Sequence, residues 1–242
     1  METYFRIRFE FDKNDIFRII DKTIEGDRAD YVCVADGNVL ATTHVDEAYL
    51  RLVNGGLFSI CDGSWTAVFI RLIHGVRRES YTGSQIFADL LARRKYRMLF
   101  MGGSTDALAG LRDSLLKRYP EASSWEFMEL PFLDVKDFDY PRIADHVNRI
   151  CPDIVWIGLG APKQEMFMNR LRPHLRHGVM VGVGAVFNFY SERVKRAPLW
   201  MRRMHLEFLH RLCSEPGKQF PKFRKYVSVL PSLLRQEYAL RR

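Results

Sequence analysis

Three features of the 242-residue sequence predict an α/β protein with a mostly parallel sheet, helices on both its faces, and a basic helical appendage at the carboxyl end. The second half repeats one rhythm, in which an apolar run of strand length passes through a glycine-bearing turn into a helix-length stretch. Strands alternating with helices imply crossover connections and so a parallel sheet. Hydrophobic residues make up 47% of the chain, enough for one sizeable core and too many for wholesale disorder. Charge is unevenly placed. From Arg193 onward there are thirteen Lys/Arg against three Glu, more than the whole net charge of +8, which leaves the preceding body slightly acidic.

Phe5, Ile7, Phe9 and Phe11 alternate with Tyr4, Arg6, Arg8 and Glu10, the pattern of a half-buried strand. Residues 12–25 carry Ile16, Ile19, Ile20 and Ile24 at helical spacing. Residues 31–35 and 57–61 read as short strands, with a short helix over 46–53 between them and another over 65–72. The strand at 97–101 runs into Gly102, Gly103 and Ser104, then a helix through Tyr119. A helix is predicted from Tyr140. The strand at 153–157 runs into Gly158, Gly160 and Pro162, then a helix through Leu175; the strand at 179–181 ends at Gly182 and Gly184. After Arg196 the texture changes. Pro198 can start a helix with Leu199, Trp200, Met204, Leu206, Phe208, Leu209 and Leu212; Pro216 and Gly217 break it, and residues 218–234 form a second basic stretch. The predicted division is a body at 1–196 and an appendage at 197–242.

Cys33, Cys61, Cys151 and Cys213 are far apart and form no CxxC pair, which predicts free thiols in a reducing compartment. Neither a signal peptide nor an uncharged apolar run of spanning length is visible, so the expected location is cytoplasmic or on a membrane surface.

The glycine turns let a ligand approach the backbone, and the helix amino ends beyond them favour anions, so a diphosphate would fit. Such turns need glycine in any case, and taken singly that reading is the commoner one. No GxxxxGKS loop is present, and Phe187 stands where a dinucleotide fingerprint needs its third glycine, which disfavours nicotinamide and flavin enzymes. Asp62 follows a strand and suits a general base, or else caps the next helix. Gln164 can hydrogen-bond a sugar or a base edge, and Glu165 beside it suits the helix dipole. Asp137 and Asp139 resemble a metal-binding DxD pair but precede a helix, which favours capping. His174 and His177 lack a completing ligand, so no protein-bound metal is predicted. Cations interleaved with Trp200, Phe208, Phe220, Phe223 and Tyr226 suit a solvated helix face, an anionic lipid surface or single-stranded nucleic acid, and composition alone does not decide among them.

Taken in order, several segments resemble the WecG/TagA/CpsF family of glycosyltransferases. They are residues 42–46 (TTHVD), Asp62-Gly63, residues 82–84 (TGS), 101–103 (MGG), 157–165 (IGLGAPKQE), 181–184 (VGVG), 193–198 (RVKRAP), 206–212 (LEFLHRL) and Glu215-Pro216. The resemblance spans most of the chain and implies a Rossmann-like sheet with a membrane-associating appendage that completes the active site. It further implies inverting transfer of a hexose-type sugar, such as N-acetylmannosamine, its uronate or glucose, without metal or cofactor. The implied donor is a UDP-sugar and the implied acceptor a polyprenyl-diphosphate-linked sugar at the inner membrane face, in cell-surface polysaccharide or teichoic acid synthesis; nucleic acid is not among the implied partners. Carried over by position, Asp62 would be the base, with Thr42 and Gln164 in the same pocket. Gly102, Gly103, Gly158, Gly160 and Gly184 would lie against the nucleotide, and Arg211, Lys218, Arg224 and Lys225 would meet diphosphate or the lipid acceptor.

The sequence also departs from the family pattern. Ser80 stands where an arginine is usual, with Arg77 and Arg78 as candidate substitutes. His44 replaces an Asn, and Ala185 and Asn188 replace a Gly and an Asp. The stretch from Thr42 to Asp62 is short. These differences leave the sugar open and make a non-catalytic nucleotide-sugar-binding relative the alternative. The apolar appendage could cover its own sheet, lipid or a second copy, so a homo-oligomer stays open.

Overall fold

The computed structural model describes residues 1–191, 201 and 207–241. Eight strands form one sheet: β1 (Glu2–Tyr4), β2 (Ile7–Phe9), β3 (Ala29–Ala35), β4 (Phe58–Cys61), β5 (Met98–Met101), β6 (Glu126–Met128), β7 (Ile154–Ile157) and β8 (Gly178–Gly182). Their spatial order is β1-β2-β4-β3-β8-β7-β5-β6, and every pairing except the β1–β2 hairpin is parallel. This is the mostly parallel α/β architecture that the strand–turn–helix rhythm predicts, and it is Rossmann-like, as the family resemblance implies.

Each central strand is buried on both faces, and alternate side chains serve two separate cores. Leu99, Met101, Val155 and Ile157 point into one, together with α2 (Gly37–Val45), α3 (Glu47–Asn54), α4 (Ser64–His74), α7 (Tyr140–Ile150) and α8 (Lys163–Leu171). Met98, Phe100, Ile154 and Trp156 point into the other, with α1 (Lys13–Glu25), α5 (Gly83–Ala92), α6 (Thr105–Leu116) and α9 (Val186–Tyr190). Two further helices, α10 (Glu207–Ser214) and α11 (Pro216–Ala239), make up the described part of the carboxyl end.

Several expectations need correction. The strand read over residues 5–11 is a hairpin, because Phe5 and Arg6 take positive φ (52° and 65°) and turn the chain back so that Tyr4 faces Ile7. Neither α2, α5 nor β6 is among the elements read from the sequence. Helix α2 has no amphipathic stripe to detect: Val39, Leu40, Ala41, Thr42 and Thr43 are all buried, because the helix lies between the sheet and α11. Pro216 does mark a break, but as the first residue of a 24-residue helix, a position where its missing N–H costs nothing. The start of the predicted appendage helix at Pro198, and the division at 196/197, lie outside the described residues.

Helix α11 is fastened to the body at three heights. Lys225 Nζ donates to Thr42 Oγ1 (2.9 Å), and His44 Nε2 pairs with Ser232 Oγ (2.8 Å). Farther along, the buried Glu237 accepts from the Phe5 N–H (2.7 Å) and pairs with His74 Nε2 (2.8 Å). No helix among the described residues is long and apolar enough to cross a membrane.

Candidate active site

A cavity of about 650 Å³ opens at the carboxyl ends of β3, β4, β7 and β8, a size that suits a small-molecule site. Parallel strands deliver their following turns to one edge of the sheet, where ligands of such folds bind. Asp36 and Asp62 stand immediately after β3 and β4 in its wall, Gly158 and Gly160 follow β7, and Gly184 follows β8. Helix α11 forms the opposing side with Lys222, Tyr226 and Leu230.

Asp62 is held by the sheet itself. Its N–H donates to Ala35 O (3.1 Å), and its Oδ1 accepts from the Gly83 N–H (2.9 Å) at the start of α5. The capping alternative for α4 does not hold: the N-cap of that helix is Gly63, with no side-chain bond. Asp139, by contrast, does cap α7, accepting from the Arg142 N–H (3.1 Å).

Gln164 is buried in the cavity wall with both ends of its amide committed. Its Oε1 accepts from the Gly160 N–H (3.1 Å), and its Nε2 donates to Glu165 Oε1 (2.8 Å). Glu165 is fully buried and also accepts from Tyr49 OH (3.0 Å). Burial away from water raises its pKa to about 7, against the lowering effect of those hydrogen bonds. The same burial, together with the Glu165 charge, raises the Tyr49 phenol well above its usual range. Burial, with Asp36 nearby, pushes Tyr226 up to about 12, so it stays a neutral hydroxyl.

The other candidate residues are placed differently. Thr42 is buried behind the cavity, donating to Asn38 O (2.7 Å) and receiving Lys225, so it anchors α11 and does not line the wall. Gly102 and Gly103 lie beyond the cavity wall at the end of β5, where a Cβ on Gly102 would press on the Gly158 backbone at 3.2 Å. Arg224 is exposed on α11 outside the cavity lining. Arg211 falls in α10 and Lys218 in α11, but their side chains lie outside the described part. Arg78 is committed to Glu2 (2.6 Å) at the hairpin, so it does not stand in for the absent arginine at Ser80.

Reading the sequence missed Asp36, Asn38 and Lys222. The first had a usable signal, since Asp36 follows an apolar run just as Asp62 does. Lys222 had none, because nothing local distinguishes it from its neighbours Arg224 and Lys225.

Comparison with known proteins decides the family, since the profile of the WecG/TagA/CpsF glycosyl transferases matches residues 4–242. The chain belongs to that family. Among its relatives is the N-acetylglucosaminyldiphosphoundecaprenol N-acetyl-beta-D-mannosaminyltransferase of Bacillus subtilis strain 168, 29% identical over 72% of this chain and 67% of the relative. The proteins of the same description from Bacillus spizizenii and Staphylococcus aureus NCTC 8325 are 27% and 25% identical, over 75% and 71% of this chain and 71% and 66% of theirs. As a family member the chain is a glycosyltransferase.

Proposed function

We propose that the chain transfers a hexose-type sugar, N-acetylmannosamine in the first instance, from a UDP-sugar to a polyprenyl-diphosphate-linked sugar at the cytoplasmic membrane face. The observation that carries this reading is Asp62, fixed at the end of β4 in one wall of a cavity whose other wall is α11 with Lys222. Relatives named for a diphosphoundecaprenol acceptor support the same acceptor class here.

Asp62 takes the proton of the acceptor hydroxyl as that oxygen attacks the anomeric carbon of the donor. The bond from that carbon to the diphosphate oxygen breaks on the opposite side, its electron pair leaves with UDP, and the configuration inverts. General-base help of this kind contributes about 10²–10⁴-fold. The charge growing on the leaving diphosphate meets Lys222 and the amino end of α8, where Gln164 holds the Gly160 turn. Chemistry of this kind needs neither metal nor cofactor.

The test is UDP release from a panel of UDP-sugars with a short-chain prenyl-diphosphate-N-acetylglucosamine acceptor and EDTA present, comparing wild type with Asp62→Asn. Asn keeps an acceptor for the Gly83 N–H, so the turn survives. Expected are acceptor-dependent release in EDTA and a fall of about 10³-fold in the variant. A need for divalent metal, or undiminished release by the variant, overturns the reading. Ser80 in place of the usual arginine favours one second reading, a binding protein without turnover; tight UDP binding with silence across the panel would select it.

A further inference from the structure

The cavity is open towards solvent between two helices whose facing sides are apolar and only partly covered. On α4, Trp65, Phe69 and Leu72 are spaced i, i+4, i+7, one face of a helix. On α11, Phe223, Val227 and Leu230 repeat that spacing. All but Leu72 line the cavity. A helix face of this kind is normally buried against a neighbour. Here Trp65 is 45% exposed and Val227 46% exposed, and Leu72, one turn beyond the cavity, is 73% exposed. Phe69 on α4 and Tyr226, Leu230 and Leu234 on α11 are only partly buried, and each packs against the same core. Among the described residues the pair thus forms an apolar trough that rests on the core, is partly exposed at Trp65, Leu72 and Val227, and adjoins the cavity lined by Asp62 and Lys222.

We propose that this trough is the seat of the first isoprene units of the acceptor's prenyl chain. The inference rests on the polyprenyl-diphosphate reading above and assigns α4, an element of the sheet-bearing body, half of the lipid site. Three features point to that occupant. The trough is continuous with the cavity where the diphosphate would sit, so one molecule with a charged head and an apolar tail fills both. Lys222 lines that cavity next in sequence to Phe223, the first apolar residue of the α11 face, so a cation and an apolar face adjoin. The relatives' acceptor is a diphosphoundecaprenol, a molecule of that shape. Trp65 and Phe69, with rings 6.2 Å apart and inclined by 38°, offer a broad surface to a branched hydrocarbon.

The experiment measures equilibrium binding of farnesyl diphosphate and of inorganic diphosphate to the full chain. It compares wild type with Trp65→Ser and Val227→Asp, both at exposed positions, and checks each variant by thermal melting. Wild type is expected to bind farnesyl diphosphate at least tenfold tighter than diphosphate, about 1.4 kcal/mol. Each variant loses that margin while its affinity for diphosphate moves less than twofold. Equal affinity for the two probes in wild type overturns the proposal, as does a margin that survives both substitutions. Loss of binding to phosphatidylcholine vesicles with the margin intact also overturns it, assigning the trough to bilayer contact. A clear margin in a protein that turns over no UDP-sugar leaves the trough standing and removes the transferase reading. Turnover without a margin does the reverse.

Discussion

After β5 the chain turns through Gly102 and Gly103 into α6, and after β7 it turns through Gly158 and Gly160 into α8. Both turns hold a glycine in the left-handed region, Gly103 at φ 81° and Gly160 at 77°. Their helices begin differently. Helix α6 has an ordinary cap, Ser104 accepting from the Ala107 N–H at 3.4 Å. Helix α8 starts after Pro162 with no side-chain cap, and Gln164 in its first turn bends back to the Gly160 N–H while Glu165 is buried with Gln164 and Tyr49 as its partners. Strand order explains the contrast. β7 neighbours the central strand β8, so its turn opens on the cavity, whereas β5 lies one strand farther out with β6 beyond it. Similar glycine turns thus acquire different roles from their places in the sheet.

The largest test of the contrast lies in the first turn of each helix. At the third position of its helix α8 carries Glu165, and α6 carries Ala107. Glu165 titrates near 7 in the folded chain against an ordinary 4.5. Between those values the folded state holds a proton that the unfolded state has released, so stability falls as pH rises through that window and levels off above it. The full difference is about 3 kcal/mol. Urea unfolding at pH 5 and pH 8 should show most of this loss in wild type and a shallower one in Glu165→Gln. Parallel losses in the two proteins would remove Glu165 as the cause.

A smaller effect separates the turns directly. Ala at Gly160 or at Gly103 meets the same left-handed strain, about 1–2 kcal/mol each. Apart from its chain neighbours, the added methyl at Gly160, in the cavity wall, meets no atom of the described residues within 4 Å, while at Gly103 it meets, among the described residues, Ala107 Cβ at 3.6 Å. Gly160→Ala should therefore lower kcat/KM about tenfold, converting to about 1.4 kcal/mol, and Gly103→Ala should leave it within about twofold of wild type. Equal losses of activity would mean that the donor reaches over the end of β5, as the family resemblance implies for Gly102 and Gly103.

The same contrast shows what was legible in the sequence. Strands β5, β7 and β8 and their glycine turns were, because continuous apolar runs punctuated by glycine are local signals. Asp62 was legible as a residue following such a run. Which of two similar turns meets the ligand depends on strand order, and no local pattern encodes that. Helix α2 escaped because a helix buried on all sides carries no stripe. Lys222 escaped because the choice among the cations of α11 depends on which face turns inward, set by contacts such as Thr42–Lys225 and His44–Ser232 across nearly two hundred residues of sequence.

Thr42 gives the smallest and most discriminating prediction. The family resemblance puts it in the pocket, whereas its hydroxyl here joins Asn38 O to Lys225 Nζ and so ties α2 to α11. Thr42→Val keeps the shape and removes both bonds. If the hydroxyl serves as an anchor, urea unfolding should show a loss of about 1–2 kcal/mol, and kcat should fall only a few-fold, because Asp62 is held from β3 and α5 and is untouched. If the hydroxyl instead meets substrate, kcat/KM would fall about a hundredfold or more, with stability nearly unchanged. The wall made by α11 is then tested apart from the wall made by the strand ends: an anchor loosens the first and leaves the second intact.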